Sequence, residues 1–139
     1  MLETKYKVPF LFYQPENDKL LRWYYGKERE ALSADKREKA PYISFLTLNF
    51  LIHKSLFKQI SFNEDIPNMR HEDTLFSFNL KQHQIPIKHI NNPIYHLGLD
   101  TFENAIRKEH ESLFALKNLL EQHLIEWDYI KISRIFRLL

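Results

Sequence analysis

Nothing in this chain narrows the possible folds as much as the stretch Arg70-His71-Glu72-Asp73-Thr74-Leu75-Phe76. It joins a polar segment, Asn63 to Arg70, to an apolar periodic run, Leu75 to Leu80. A change of that kind marks the start of a helix. The first amides of a helix lack intrahelical acceptors, and the helix dipole is positive there. Both effects favour ionised carboxylates at Glu72 and Asp73. Two roles follow from the residues alone. The pair can cap the helix. Beside a cleft, an ionised carboxylate can instead take the proton of a substrate hydroxyl.

Other features exclude whole classes of function. Glycine occurs only at Gly26 and Gly98, so there is no Gly-rich phosphate loop of the Walker or Rossmann kind. Cysteine is absent, which rules out disulfides and thiolate metal sites and is compatible with a reducing compartment. A net charge of +2 is too small to point to nucleic acid. The N-terminal residues Met1 to Lys7 alternate polar and apolar, unlike a signal peptide. No window approaches the roughly 20 apolar residues of a membrane span. The expectation is a cytoplasmic protein, and 139 residues make one domain or part of one. Eleven Phe and seven Tyr can fill a core or offer stacking surface to sugars or bases.

Periodicity and turn residues divide the chain further. Strands are expected over Thr4 to Tyr13, at a sheet edge because of Pro9, and over Ile85 to Ile90, with a stub at Ile94 to His96. The apolar run Ile43 to Ile52 reads as a buried strand, in which Asn49 is a hydrogen-bond hub or a ligand contact. A helix capped by Asn17 or Asp18 should run through Leu20, Leu21, Trp23, Tyr24 and Tyr25, with Gly26 weakening it. A short helix should cover His53 to Ile60. Thr74 to His83 should be a helix with Leu75, Phe76, Phe78 and Leu80 inward. Asp100 or Thr101, with Glu103 behind it, should open a long helix. Lys27 to Lys39 mixes both charges and reads as a solvated face laced with ion pairs, or as an arm over an anionic substrate. The tail, 125–139, sets Ile125, Ile132, Ile135, Phe136 and Leu139 against Lys131 and Arg134. Such a helix can lie on a membrane surface, which would make the protein peripheral to the inner membrane, or pack on its own domain.

Three pieces occur in order: Pro41-Tyr42-Ile43-Ser44-Phe45-Leu46-Thr47-Leu48-Asn49-Phe50-Leu51-Ile52, then His71-Glu72-Asp73-Thr74-Leu75-Phe76, then Asn92-Pro93-Ile94-Tyr95-His96-Leu97-Gly98-Leu99. Together they resemble the C-terminal half of bacterial family 2 glycosyltransferases, and Leu21 to Glu30 looks like the region preceding that half. The resemblance spans roughly Lys5 to Leu120. It implies an α/β fold, the acceptor-side half of a GT-A nucleotide-sugar transferase with a mixed short sheet flanked by helices. On that basis 1–122 would be the acceptor and catalytic half and 123–139 a C-terminal amphipathic helix. It also implies an inverting transfer from a nucleotide-sugar donor to a glycan or lipid-linked acceptor. Asp73 would be the general base and Glu72 its neighbour. Asn49, His71 and Arg70 would line the substrate site. His96 would help hold Mg²⁺ or Mn²⁺, the cation that such oxygen-rich sites take.

One departure is plain. The six aspartates, Asp18, Asp35, Asp65, Asp73, Asp100 and Asp128, include no D-x-D pair. The family's nucleotide-binding strands have no counterpart here either. The chain therefore reads as the back half of an enzyme, inactive alone, with an apolar face prone to self-association. A catalytically silent interaction module is the competing expectation. Binding of nucleic acid is not expected, because acidic residues interrupt the basic run.

Overall fold

The computed structural model describes residues 17–66, 70–92, 94 and 98–136. Among these residues the protein is all-helical and contains no strand. A 3-10 turn, Asn17–Lys19, leads into α1, Leu20–Tyr25, and then a π-helical stretch, Gly26–Glu30. Two short helices follow, α2 (Ala34–Arg37) and α3 (Lys54–Gln59). The two long ones are α4 (Glu72–Gln82) and α5 (Phe102–Glu121), and α6 (Lys131–Phe136) closes the described part.

Helix α4 is the central element because its apolar residues are nearly contiguous. Leu75, Phe76, Ser77, Phe78 and Leu80 are all buried. Such a helix has no solvent face over its middle turns and must be covered on two sides. On one side Leu75 and Phe78 pack with Leu116, Leu119 and Leu120 of α5 and with Ile125 and Tyr129. On the other, Phe76 and Leu80 pack with Ile60, and Phe45, Ile52, Phe57 and Phe62 close over them. The ring of Phe76 meets those of Phe45, Phe50, Phe57 and Phe62, at centroid distances of 5.8, 6.0, 6.0 and 4.6 Å. Burial of one such side chain is worth about 1.5–3 kcal/mol, so Phe76 is a large single contributor. Between the clusters, Ser77 Oγ donates to the Thr74 carbonyl at 3.0 Å, which leaves its oxygen to accept from the Tyr129 hydroxyl at 3.1 Å.

Helix α5 starts where expected. Thr101 is its N-cap, and Oγ1 accepts from the Asn104 amide at 3.4 Å. Its buried face is Ala105, Ala115, Leu116, Leu119 and Leu120. Phe102, Ile106 and Leu113 are exposed.

Both long helices end in the same way. After α4, the Gln84 amide donates to the Lys81 carbonyl and the Ile85 amide to the Leu80 carbonyl, at 3.0 and 2.9 Å. After α5, the His123 amide donates to Leu120 and the Leu124 amide to Leu119, at 3.1 and 2.9 Å. These are Schellman motifs, which place the residue after the C-cap in the left-handed region. That residue is usually glycine. Here it is Gln84 (φ 56°) and His123 (φ 56°).

The expected α/β architecture is overturned by the absence of strands among the described residues. The reasons lie in three segments. Residues 43–52 turn at 41–44 and again at 47–48, with the Ser44 amide bonded to the Ala40 carbonyl at 3.0 Å. Ser44, Thr47 and Asn49 offer local hydrogen bonds that compete with a ladder. Ile43, Leu48 and Leu51 are exposed rather than buried. Residues 85–92 run extended, but side chains serve their backbone instead of a neighbouring strand. The Tyr42 hydroxyl donates to the Ile85 carbonyl at 3.0 Å, Arg37 Nη2 to the Ile90 carbonyl at 2.8 Å, and the His89 amide to Glu38 Oε1 at 2.7 Å. The charged run therefore staples a neighbour in its last part instead of only facing solvent. Ile94 is in no strand, and Tyr95, His96 and the expected strand over 4–13 lie outside the described residues.

Gly26 interrupts the first α-helix, which ends at Tyr25, and the chain goes on as a π-helix, tied by Arg22 Nη2 to both Glu30 oxygens at 3.0 and 2.9 Å. One smaller expectation changes. The tail helix is short, with Ile132 and Ile135 exposed, while Ile125 belongs to the core and precedes α6.

The caps generate a test. Gln84→Gly and His123→Gly, both at exposed positions, should each raise stability by about 0.5–1 kcal/mol by removing the Cβ penalty of a left-handed residue. Urea midpoints measure this, and a lower midpoint in both variants would contradict the cap geometry.

Candidate active site

The junction before α4 takes an unusual local path. His71 is the N-cap and adopts the left-handed conformation (φ 63°, ψ 19°). Histidine enters that region more readily than most residues, though at a cost of about 1–2 kcal/mol. The turn it makes directs its ring towards α5. His71 Nε2 lies 2.8 Å from Ser112 Oγ, and Nδ1 lies 3.1 Å from Thr74 Oγ1. Beside it, Arg70 Nη2 donates to Glu111 Oε2 at 3.0 Å, and Arg107 also bonds Glu111. Arg70 and His71, the two residues before α4, are thus each tied to α5 by a polar link.

Glu72 and Asp73 occupy the first turn of α4. Asp73 Oδ1 accepts from the Thr74 amide at 2.7 Å and lies 3.5 Å from Thr74 Oγ1. Among the described residues no group bonds Oδ2. So Asp73 satisfies one orphan helix amide with one oxygen and keeps the other available.

Burial, and then the charge of Glu72, push the Asp73 carboxyl above the usual aspartate range, against the Thr74 amide and His71. A helix N-terminus favours the ionised form, but here desolvation outweighs it. Burial also lowers His71 below the usual imidazole value, although Asp73, a hydrogen bond with the Ser112 backbone, Glu72 and Glu109 oppose it. His71 is therefore neutral near pH 7, and Asp73 is a carboxylate whose basicity is enhanced.

The site residues expected from sequence divide into three groups. Arg70, His71, Glu72 and Asp73 converge where α4 meets α5. Asn49 does not join them: it is exposed and donates from Nδ2 to the Asn92 carbonyl at 2.9 Å, as a structural tie between two loops. His96 lies outside the described residues. Arg70 is paired with Glu111 at 3.0 Å. Among the described residues no three His, Asp or Glu side chains gather as metal ligands. These residues alone do not fit a divalent cation. A shallow cleft of about 320 Å³, lined by Pro41, Tyr42, Lys81, Glu126, Asp128 and Tyr129, lies at the opposite end of α4.

Sequence reasoning passed over Ser112 and Glu111. Their one readable signal is the phase of α5. Steps of 100° per residue put Ser112 on the same face as Ala105, Leu116 and Leu119, where a polar side chain needs a partner. No local pattern says that the partner is His71, which is 41 residues away in the chain.

No family model matches this chain, and neither a curated protein nor a solved structure does. No helix among the described residues is long and apolar enough to cross a membrane.

The raised Asp73 value has a defined consequence for stability. The folded state holds this proton more tightly than the unfolded chain, so the stabilisation present in acid is lost as pH rises from the unfolded value of about 3.9 through the folded one. Asp73→Asn keeps an oxygen for the Thr74 amide and removes the buried charge. The melting temperature of Asp73→Asn relative to the parent should therefore increase between pH 3.5 and pH 7. A difference that shrinks over that interval would contradict the burial of this carboxyl.

Proposed function

We propose that this chain supplies the acceptor-activating part of a nucleotide-sugar-dependent glycosyltransferase, with Asp73 as the general base. The observation that carries this reading is the state of Asp73. One oxygen is fixed by the Thr74 amide, the other takes no donor among the described residues, and burial raises its affinity for a proton. The ordered resemblance of segments 41–52, 71–76 and 92–99 to family 2 glycosyltransferases supports the substrate class. The helical architecture of the described residues gives it no support, so the reading rests on the motif order and on the chemistry of the site.

The reaction asks little of the acceptor side. The hydroxyl of a glycan or lipid-linked acceptor donates its proton to Asp73 Oδ2 as its oxygen forms a bond to the anomeric carbon. The bond from that carbon to the diphosphate breaks from the opposite face, which inverts the centre. A base whose pKa lies nearer the working pH is more effective, and desolvation moves Asp73 in that direction. Glu72 assists by adding negative charge beside it. His71, neutral and engaged at both ring nitrogens, does not compete for the proton. A divalent cation, Mg²⁺ or Mn²⁺, would neutralise the departing diphosphate. His96 of this chain would be one of the residues holding it, with the others supplied by a nucleotide-binding half.

A second reading, an interaction module without turnover, draws support from one observation. Leu48 and Leu51 in one loop and Ile90 and Ile94 in the next are all exposed, and the Asn49–Asn92 bond holds the loops together. Exposed apolar side chains, where they adjoin, commonly receive another polypeptide.

Transfer measured with the full gene product over a panel of nucleotide sugars separates the two. The base role predicts that Asp73→Asn lowers kcat by about 10²–10⁴-fold with donor binding retained. Turnover kept within about threefold would remove Asp73 from that role, a change too small for loss of a general base.

A further inference from the structure

We infer that Ser112 of α5 is a positioning residue for Asp73, acting through His71 and Thr74 as a hydrogen-bonded chain with one direction. Its relevance to catalysis rests on the role of Asp73 proposed above. The links are Ser112 Oγ to His71 Nε2 at 2.8 Å, His71 Nδ1 to Thr74 Oγ1 at 3.1 Å, and Thr74 Oγ1 to Asp73 Oδ1 at 3.5 Å. The last is the longest, and the Thr74 amide at 2.7 Å reinforces it on the same oxygen.

Counting protons fixes the direction. Ionised Asp73 has no proton to give, so the Thr74 hydroxyl donates to Oδ1. The single Thr74 proton is then used, and its oxygen must accept from His71 Nδ1–H. A neutral imidazole carries one N–H, so Nε2 is bare and accepts from the Ser112 hydroxyl. Each donor is used once and each acceptor is filled. The opposite order would place the proton on Nε2, turn the Thr74 hydroxyl to Nδ1, and withdraw it from Asp73.

The left-handed backbone at His71 has a purpose in this arrangement. It aims the ring at α5 while the next residues enter α4. Ser112 sits on the buried face of α5, next to Glu111, which Arg70 holds from the other side. Rotation of the Asp73 carboxylate is restricted because Oδ1 has two donors. Oδ2 is the oxygen left to meet an acceptor hydroxyl. The ionisable groups around the ring are Glu72 and Asp73 on α4 and Glu109 on α5, with the Arg70–Glu111 pair alongside.

The test is ¹⁵N NMR of the His71 ring in the whole chain at neutral pH, with ¹³C titration of the Asp73 carboxyl. The parent should show the Nδ1–H tautomer. Ser112→Ala should shift the ring towards Nε2–H and raise the Asp73 midpoint, and Ser112→Thr, which keeps the hydroxyl, should restore both. An Nε2–H tautomer in the parent would overturn the chain, and that measurement needs no variant to fold. An unmoved tautomer and midpoint in a cooperatively melting Ser112→Ala would overturn the role of Ser112, leaving it as packing only. Neither readout uses turnover, so the proposed function can fail while the chain stands. In an active full gene product, Ser112→Ala should lower kcat with KM little changed.

Discussion

Helix α4 has almost no side that water can reach over its central turns. That one constraint orders the described part of the molecule. A helix of this composition is stable only if two separate apolar surfaces enclose it. Helix α5 with the segment after it supplies one, through Leu116, Leu119, Leu120, Ile125 and Tyr129. The phenylalanines of 45–62 supply the other, through rings that converge on Phe76. Helix α4 lies between the two surfaces, and Tyr42 packs against both. Loss of either would leave Leu75 and Phe78, or Phe76 and Leu80, facing water.

The same burial fixes the first turn of α4. Its carboxylates cannot withdraw freely, since the helix behind them is fixed and the backbone ahead is bent at His71. Asp73 is close enough to the core to be partly desolvated, and among the described residues one of its oxygens has no donor. A carboxylate in water has its ordinary basicity, and one sealed inside has no substrate. The half-buried position lies between these, and its stability cost falls on the folded state at neutral pH. The polar links to Ser112 and Glu111 hold that position against thermal reorientation.

Some of this was legible in the sequence. The two long helices were, because α4 is announced by a polar-to-apolar transition and α5 by Thr101 followed by Glu103. The convergence of His71, Glu72 and Asp73 was, because neighbours in sequence remain neighbours in a first helical turn. The strands were misread for a physical reason. Apolar runs such as Ile43 to Ile52 and Ile85 to Ile90 report a wish to be buried, not a partner for their amides. In this chain Tyr42, Arg37 and Glu38 meet the second run before a strand does. The end of α4 was placed within one residue, but the left-handed caps were hidden because Gln84 and His123 stand where glycine would have marked them. Ser112 was hidden because its bond crosses between elements far apart in the chain.

If α4 organises the protein, its amides should open only when the whole chain unfolds. Native-state hydrogen exchange resolved at Leu75, Phe76, Ser77, Phe78 and Leu80 measures this directly. The expected result is that these amides are the slowest to exchange and share the free energy of global unfolding. Exchange of α4 through local opening, while Leu116 to Leu120 of α5 remain protected, would contradict the central place given to that helix.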